Sequence, residues 1–111
     1  MIEKTVLNFL SAELSVPVFM EVPEREPEKY VVLEKVGSGK INHICTASFA
    51  VQSYAPTLYE AAELNEEAKS AMERLATLDE IGRVALDSDY PFTNTATKQR
   101  RYQALFDLTH Y

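Results

Sequence analysis

Hydrophobic and polar side chains follow two different periods along this 111-residue chain. Between residues 2 and 14 the apolar positions recur at helical spacing with glutamates between them, which predicts an amphipathic helix that ends before Pro17. Residues 18–22 alternate and predict a short strand. Residues 23–29 contain two prolines and three glutamates, a composition that disfavours strand pairing and predicts a solvated loop.

The strongest strand signal covers residues 30–36 and 44–54, which are rich in β-branched and aromatic side chains. Between them stands Gly37-Ser38-Gly39-Lys40, so we predict a β-hairpin with these four residues at a flexible tip. The second strand carries apolar side chains on one face and polar ones on the other: Cys45, Ala47, Phe49 and Val51 against Thr46, Ser48 and Gln52. We therefore expect helices to cover the first face and water to reach the second.

A long helix is predicted after this hairpin. Thr57 and Glu60 have the spacing of a capping box, in which the threonine hydroxyl accepts from one amide and the glutamate side chain reaches back to another. From Ala61 to Leu75 apolar residues, many of them alanine, recur at helical spacing. The helix should end before Gly82, and its small residues allow close packing on a sheet.

Two further strands complete the predicted fold. Residues 82–86 and 102–109 have strand patterns, and residues 87–99 between them read as a polar loop in which Asp87-Ser88-Asp89 forms a turn. The element order is then α-β-β-β-α-β-β. Since short connections join most strands, we predict one α+β domain over residues 1–111, with a mostly antiparallel sheet of about five strands and two helices on one face.

Composition and charge argue against a disordered, membrane-spanning or secreted protein. The chain has 17 acidic and 11 basic residues, a net charge of -6 and a pI near 4.9, and its 46% hydrophobic content is that of a folded protein. No apolar run reaches the length of a membrane span, and the N-terminal segment lacks the basic and apolar regions of a signal peptide. A single cysteine excludes an internal disulfide, so we expect a reducing cytoplasm as the site of synthesis.

Candidate nucleophiles and metal ligands are few. Cys45 stands two residues from His43, where a thiolate and an imidazole would share a strand face, but Cys45 also belongs to the apolar series, which favours a buried structural cysteine. His43 and His110 are far apart in sequence, and their spacing indicates no shared metal. Asp87-Ser88-Asp89 offers too few oxygen ligands for calcium. We therefore predict no catalytic residue, no metal site and no cofactor, and hence no enzyme.

A basic cluster lies near the C-terminus and is formed by Lys98, Arg100 and Arg101. Basic side chains contact nucleic acid phosphates in many proteins, but a chain with a net charge of -6 gains little long-range attraction to a polyanion. A solvated loop with local ion pairs is the favoured interpretation.

Strand edges and long loops remain as the features most open to partners. Unpaired edges are places where another subunit adds to a sheet, which suggests assembly. A monomer with protected edges is equally compatible with the pattern.

Two segments of the chain resemble a known family. Residues 53–62, Ser-Tyr-Ala-Pro-Thr-Leu-Tyr-Glu-Ala-Ala, and residues 102–111, Tyr-Gln-Ala-Leu-Phe-Asp-Leu-Thr-His-Tyr, resemble small tail components encoded by prophages of Gram-positive bacteria. The opening helix and Val16-Pro17-Val18 also fit, so the resemblance covers nearly the whole chain. That family is similar to the tail-completion, or tail-terminator, proteins of long-tailed phages.

The resemblance implies a structural virion protein at the head-proximal end of the tail, made in the cytoplasm of the bacterial host. Such a subunit caps the tail tube as a sixfold ring and offers a surface to the head connector. Its partners are then other copies of itself, the tail tube protein and the connector or neck protein, while DNA passes through without specific binding and no membrane is involved. A head–tail connector or neck protein is an alternative role, and a small cytoplasmic binding domain outside the virion is another.

Under this resemblance, several regions are candidate interaction surfaces. The expected hairpin tip, with Gly37, Ser38, Gly39 and Lys40, and the loop of residues 87–99 would reach the tube or the connector. The basic positions Lys98, Arg100 and Arg101 are a further candidate interaction surface. Glu63 and Glu67 would line the lumen, where carboxylates repel the DNA backbone. An ordinary solvated helix face is the alternative for these two glutamates.

Overall fold

A computed structural model describes residues 1–97 and 99–111. Two helices and five strands follow one another along the chain, with a short 3-10 turn, Arg74–Thr77, after the second helix. Their bounds are α1 Ile2–Glu13, β1 Val18–Phe19, β2 Tyr30–Ile41, β3 Ile44–Ala55, α2 Leu58–Glu73, β4 Ile81–Pro91 and β5 Arg100–His110. The order is the one that the sequence predicts.

One five-stranded sheet organises the molecule, with the strand order β1-β2-β3-β5-β4. β1 runs parallel to β2, and the other neighbours are antiparallel. Both helices pack through apolar side chains into one core with the same side of the sheet, which we call the helix face. The predicted α+β class with a mostly antiparallel sheet is confirmed.

The main core lies between α1, α2 and the helix face. Phe49 and Phe106 are opposite each other on β3 and β5 and are fully buried. α2 contributes small residues such as Ala68 and Ala71, which are inaccessible to solvent and let the helix approach the strands closely. The helix begins at the expected cap, since the Thr57 hydroxyl accepts a hydrogen bond from the amide of Glu60 at 3.2 Å. The second half of the predicted capping box does not form, because Oε2 of Glu60 is buried without a hydrogen-bond partner.

The predicted position of the hairpin tip is wrong. Gly37, Ser38, Gly39 and Lys40 are strand residues that pair with β3, and the turn is formed by Asn42 and His43. These two residues have φ values of 49° and 68°, whereas no described glycine has a positive φ. Positive φ at both central residues is the geometry of a type I′ two-residue hairpin turn, in which asparagine is common at the first position. The turn therefore forms at Asn42 and His43, although the glycines lie earlier in the chain.

The other strand boundaries also differ from the prediction. β1 contains two residues instead of five, because the chain leaves the sheet before the prolines of the following loop. β4 continues to Pro91, so Asp87-Ser88-Asp89 is not a turn. A register shift between Leu86 and Ser88 leaves Asp87 as the extra residue of a β-bulge, which allows the polar segment to remain in the ladder.

Candidate interaction surfaces

The suspected cysteine–histidine pair does not form. His43 occupies the turn, while Cys45 lies on β3 directly opposite His110 of β5. Cys45 is half-buried, whereas its place in the apolar series predicts a fully buried side chain. Within residues 1–97 and 99–111, no group of three or more His, Cys, Asp and Glu side chains is placed to hold a metal ion.

The face of the sheet opposite the helices, here called the far face, carries an aromatic cluster at one end. The rings of Tyr30 and Tyr54 are stacked, with 4.6 Å between their centroids and 8° between their planes, and Phe19 meets Tyr30 edge-on at 6.0 Å. Val32 completes this second buried cluster. The expectation that water reaches this face is therefore wrong at this end of the sheet, where Gln52 and Tyr54 are buried.

A chain of hydrogen bonds joins this cluster to the neighbouring strands. The amide of Gln52 donates to Gln103 at 2.8 Å, and Gln103 donates to the hydroxyl of Tyr90 at 2.6 Å. Tyr54 donates to Gln52 at 3.2 Å and accepts from the guanidinium of Arg101 at 2.8 Å. Because each amide and hydroxyl finds a partner, the far face can bury polar groups without a large desolvation cost.

Arg101 connects the cluster to the loop that follows β4. Its guanidinium lies 4.4 Å from the centre of the Phe92 ring and donates to the Phe92 carbonyl at 2.6 Å. Arg101 therefore acts as a half-buried structural residue, in contrast to the solvated basic cluster expected from the sequence. Arg100 starts β5 and is exposed, and Lys98 lies outside the described residues.

The acidic loop before β2 is attached to the same region. Burial and the nearby Glu26 carboxylate raise the pKa of Tyr30 far above its ordinary value, so the phenol stays protonated and donates to Glu26 at 3.0 Å. The side chain of Gln99 also donates to Glu26. These two bonds hold the loop beside a small cleft of about 120 Å³.

Sequence reasoning missed this polar and aromatic layer. Its signal was present in the alternate positions of β3, where Gln52 and Tyr54 share the face opposite to Val51. The partners Gln103 and Arg101 come from β5, and only strand pairing brings them next to β3. A pattern along one strand does not reveal which side chains a neighbouring strand will supply.

The outer surface of α2 is acidic. Glu63 and Glu67 are exposed, as predicted, and Glu66 and Glu73 lie on the same solvent side. A groove of about 440 Å³ separates this surface from the end of α1. The groove is bridged by the Arg74 guanidinium, which donates to Glu13 at 2.7 Å.

A second ionic contact fastens α2 to β4. Lys69 donates to Asp89 at 2.9 Å, and the buried amide of Asn65 donates to the same carboxylate oxygen at 2.9 Å. The hydrogen bond to Lys69 lowers the pKa of Asp89, and its bonds to Asp89 and Glu66 raise the pKa of Lys69. The contact stabilises the charged forms of both groups and fixes the helix against an edge strand.

Both outer strands of the sheet leave backbone groups unpaired within the described residues. β1 pairs with only two residues of β2, Val31 and Val32, so the outer edge of residues 34–41 is open. On the other side β4 pairs with β5 alone. Each open edge exposes a large apolar side chain beside its bulge, Val36 at 55% and Leu86 at 40%.

No protein-family model matches the chain, and no curated protein matches it in sequence. None of the helices in residues 1–97 and 99–111 combines the length and the apolar character needed to cross a membrane.

Proposed function

We propose that the protein is a tail-completion protein of a long-tailed phage, a subunit that closes the end of the tail tube as a ring and joins the tail to the head. The observation that carries this proposal is the pair of open edges on opposite sides of one small sheet. A ring requires two different, matching patches on each subunit. The outer edges of β2 and β4 are two such patches.

The segments that resemble the tail-completion family support the same role. Residues 53–62 form the junction where β3 ends and α2 begins, and residues 102–111 contain most of β5. Both segments therefore belong to the central part of the fold. The resemblance rests on structural residues, which suits a subunit whose work is assembly.

The charge of α2 is compatible with passage of DNA. Its exposed carboxylates, Glu63 and Glu67 among them, repel phosphate groups and would prevent DNA from adhering to the ring. In this proposal the ring is sixfold and binds the tail tube protein on one side and the head connector on the other. The assembled protein belongs to the head-proximal end of the tail.

Deletion of the gene from the encoding phage or prophage tests this role. We expect electron microscopy of the induced lysate to reveal overlong tails, or filled heads beside unattached tails, and we expect a plasmid copy of the gene to restore virions. Overlong tails indicate length termination, whereas filled heads beside unattached tails of normal length indicate a function in joining the tail to the head. Normal infectious virions after deletion would reject both roles and favour a binding domain outside the virion.

A further inference from the structure

The directions of the strands determine how a second copy can extend this sheet. β2 is antiparallel to β3, β3 to β5 and β5 to β4, so β2 and β4 run in opposite directions. If a second copy is placed beside the first in the same orientation, its β2 meets β4 of the first copy in an antiparallel arrangement. All helices then remain on one side of the extended sheet.

The blocked parts of the two edges lie at the same level of the sheet. Two residues on different strands are at the same level, or height, when a row of directly paired residues across the sheet connects them. Val31 is level with Pro91 in this sense, through the paired residues of β3 and β5. At this level β1 covers the edge of β2, and on β4 a proline removes a backbone donor. Monomeric proteins commonly protect the edge strands of their sheets. In the described part of this protein, only one end of the β2 edge and the corresponding end of the β4 edge are protected.

The open parts also coincide. Glu34 is level with Ser88 and Lys40 is level with Ile81, so residues 34–40 and 81–88 span the same height. Within this span β2 has one register shift, between Lys35 and Gly37, and β4 has two, between Ile81 and Arg83 and between Leu86 and Ser88. Lys35 and Leu86 are level with each other, and the bulges at Val36 and Asp87 lie on either side of this level, so the two edges bend close to the same place.

Side chains at these edges are complementary as well. The exposed Val36 and Leu86 stand beside the two bulges and would bury each other. Lys35 is level with Leu86 and pairs with Glu3 of its own copy at 3.2 Å, and Lys40 lies next to the height of Glu80. Arg83 shares its face with Thr109, opposite to the face of Lys40, so these two cations do not meet.

We propose that neighbouring copies of this chain join edge to edge, with residues 81–88 of β4 pairing antiparallel to residues 34–40 of β2 in the next copy, so that the sheet continues across the interface. This inference rests on the proposed ring assembly and names the surface that performs it. The far face and the acidic surface of α2 then stay available for the tube and the connector.

Disulfide trapping tests the interface. In a Cys45→Ser background, Ala85→Cys is combined in turn with Gly37→Cys, Glu34→Cys and Gly39→Cys, which all share the far face with Ala85 and allow for a slip of two residues in either direction. Gly37 and Ala85 lie at the same height, and facing Cβ atoms of paired strands come within about 5 Å, close to disulfide distance. A Cβ added at Gly37 meets no atom within 4 Å, so this variant should fold.

We expect concentrated protein, oxidised in solution, to give a ladder of covalent dimers, trimers and larger species for at least one of these pairs. The matched control combines Gly37→Cys with Tyr59→Cys on the exposed surface of α2 and should give no ladder. In a second measurement, Val36→Lys or Leu86→Lys should abolish the ladder, whereas Met20→Lys, at an exposed apolar position elsewhere, should preserve it.

The outcomes separate this inference from the proposed function. Absence of a ladder for all three pairs, or a ladder as strong in the control, would overturn edge pairing even if gene deletion produces defective tails. A ladder together with normal virions after deletion would leave edge pairing standing and reject the role in the tail.

Discussion

Tyr30 and Tyr54 stack on the face of the sheet opposite the helices, with 4.6 Å between their ring centroids. The pair links the first strand of the hairpin to the second, and the hydroxyl of Tyr54 receives a hydrogen bond from Arg101 on a third strand. Three strands are thus held together on a face that the sequence pattern marks as polar. The relationship makes Tyr54 a residue on which stability should depend strongly.

Replacement of Tyr54 tests this dependence. Tyr54→Ala should lower the free energy of unfolding by about 3 kcal/mol, since it removes a buried ring and takes one hydrogen-bond partner from each of Arg101 and Gln52. Tyr54→Phe should cost about 1 kcal/mol, because only the hydroxyl is lost. Urea unfolding measures both, with Tyr59→Phe as the control on an exposed tyrosine. Equal stability of Tyr54→Ala and the parent protein would contradict the prediction.

The contact between Lys69 and Asp89 predicts a pH dependence. The pKa of Asp89 is lowered in the folded state, so its contribution to stability is complete above the unfolded pKa of about 4 and is lost as the pH falls through the folded pKa. The pKa of Lys69 is raised, so its contribution is complete below about pH 10 and is lost as the pH rises through the folded pKa.

Asp89→Asn should therefore lower the free energy of unfolding by about 1 kcal/mol at neutral pH and by less at about pH 3, where the parent carboxylate is itself protonated. Urea unfolding at both pH values measures the difference. Asp79→Asn, at an exposed position before β4, serves as the control and should leave stability nearly unchanged at both. The prediction fails if the two variants behave alike.

The start of α2 depends on the hydroxyl of Thr57. Thr57→Ala should cost about 1 kcal/mol of stability, because the amide of Glu60 loses its hydrogen-bond acceptor at the helix terminus. Thr57→Ser keeps the acceptor and should be nearly neutral. Thermal unfolding of both variants by circular dichroism distinguishes the loss of the cap from the loss of a methyl group.

The position of the hairpin turn predicts how substitutions at His43 and at Gly37 change the stability of the protein. His43→Gly should stabilise the protein by about 0.5 kcal/mol, since His43 has a φ of 68° that glycine adopts without strain. Gly37→Ala should be neutral or slightly stabilising, because the added Cβ meets no atom within 4 Å and φ is not positive. Strong destabilisation by Gly37→Ala would contradict the turn at Asn42 and His43 and would favour the tip at residues 37–40 that the sequence pattern predicts.

The acidic surface of α2 predicts an effect on DNA release. In the proposed ring, Glu63→Lys combined with Glu67→Lys should lower phage titre while tails of normal length still form, because a cationic lumen retains DNA. Glu24→Lys with Glu28→Lys, in the loop before β2, makes the same change in net charge and is the control. Unchanged titre and normal DNA ejection in the first variant would exclude α2 from the lumen.

The sequence by itself determined the number, type and order of the elements. Helical spacing in α1 and α2, the threonine cap of α2 and the β-branched runs of β2, β3 and β5 are local patterns, and each is visible in residues close in sequence. The predicted fold class follows from that order. Ala47, Phe49 and Val51 also face the helices as their alternation predicts.

The tertiary structure decided the rest, because the deciding contacts join residues far apart in sequence. Pairing with β3 kept Gly37 and Gly39 in a strand and moved the turn to Asn42 and His43. Pairing with β5 extended β4 through the bulge at Asp87. Pairing of β3 with β5 brought Arg101 to Tyr54. The pairs across β3 and β5 also set the open edges of β2 and β4 at the same height.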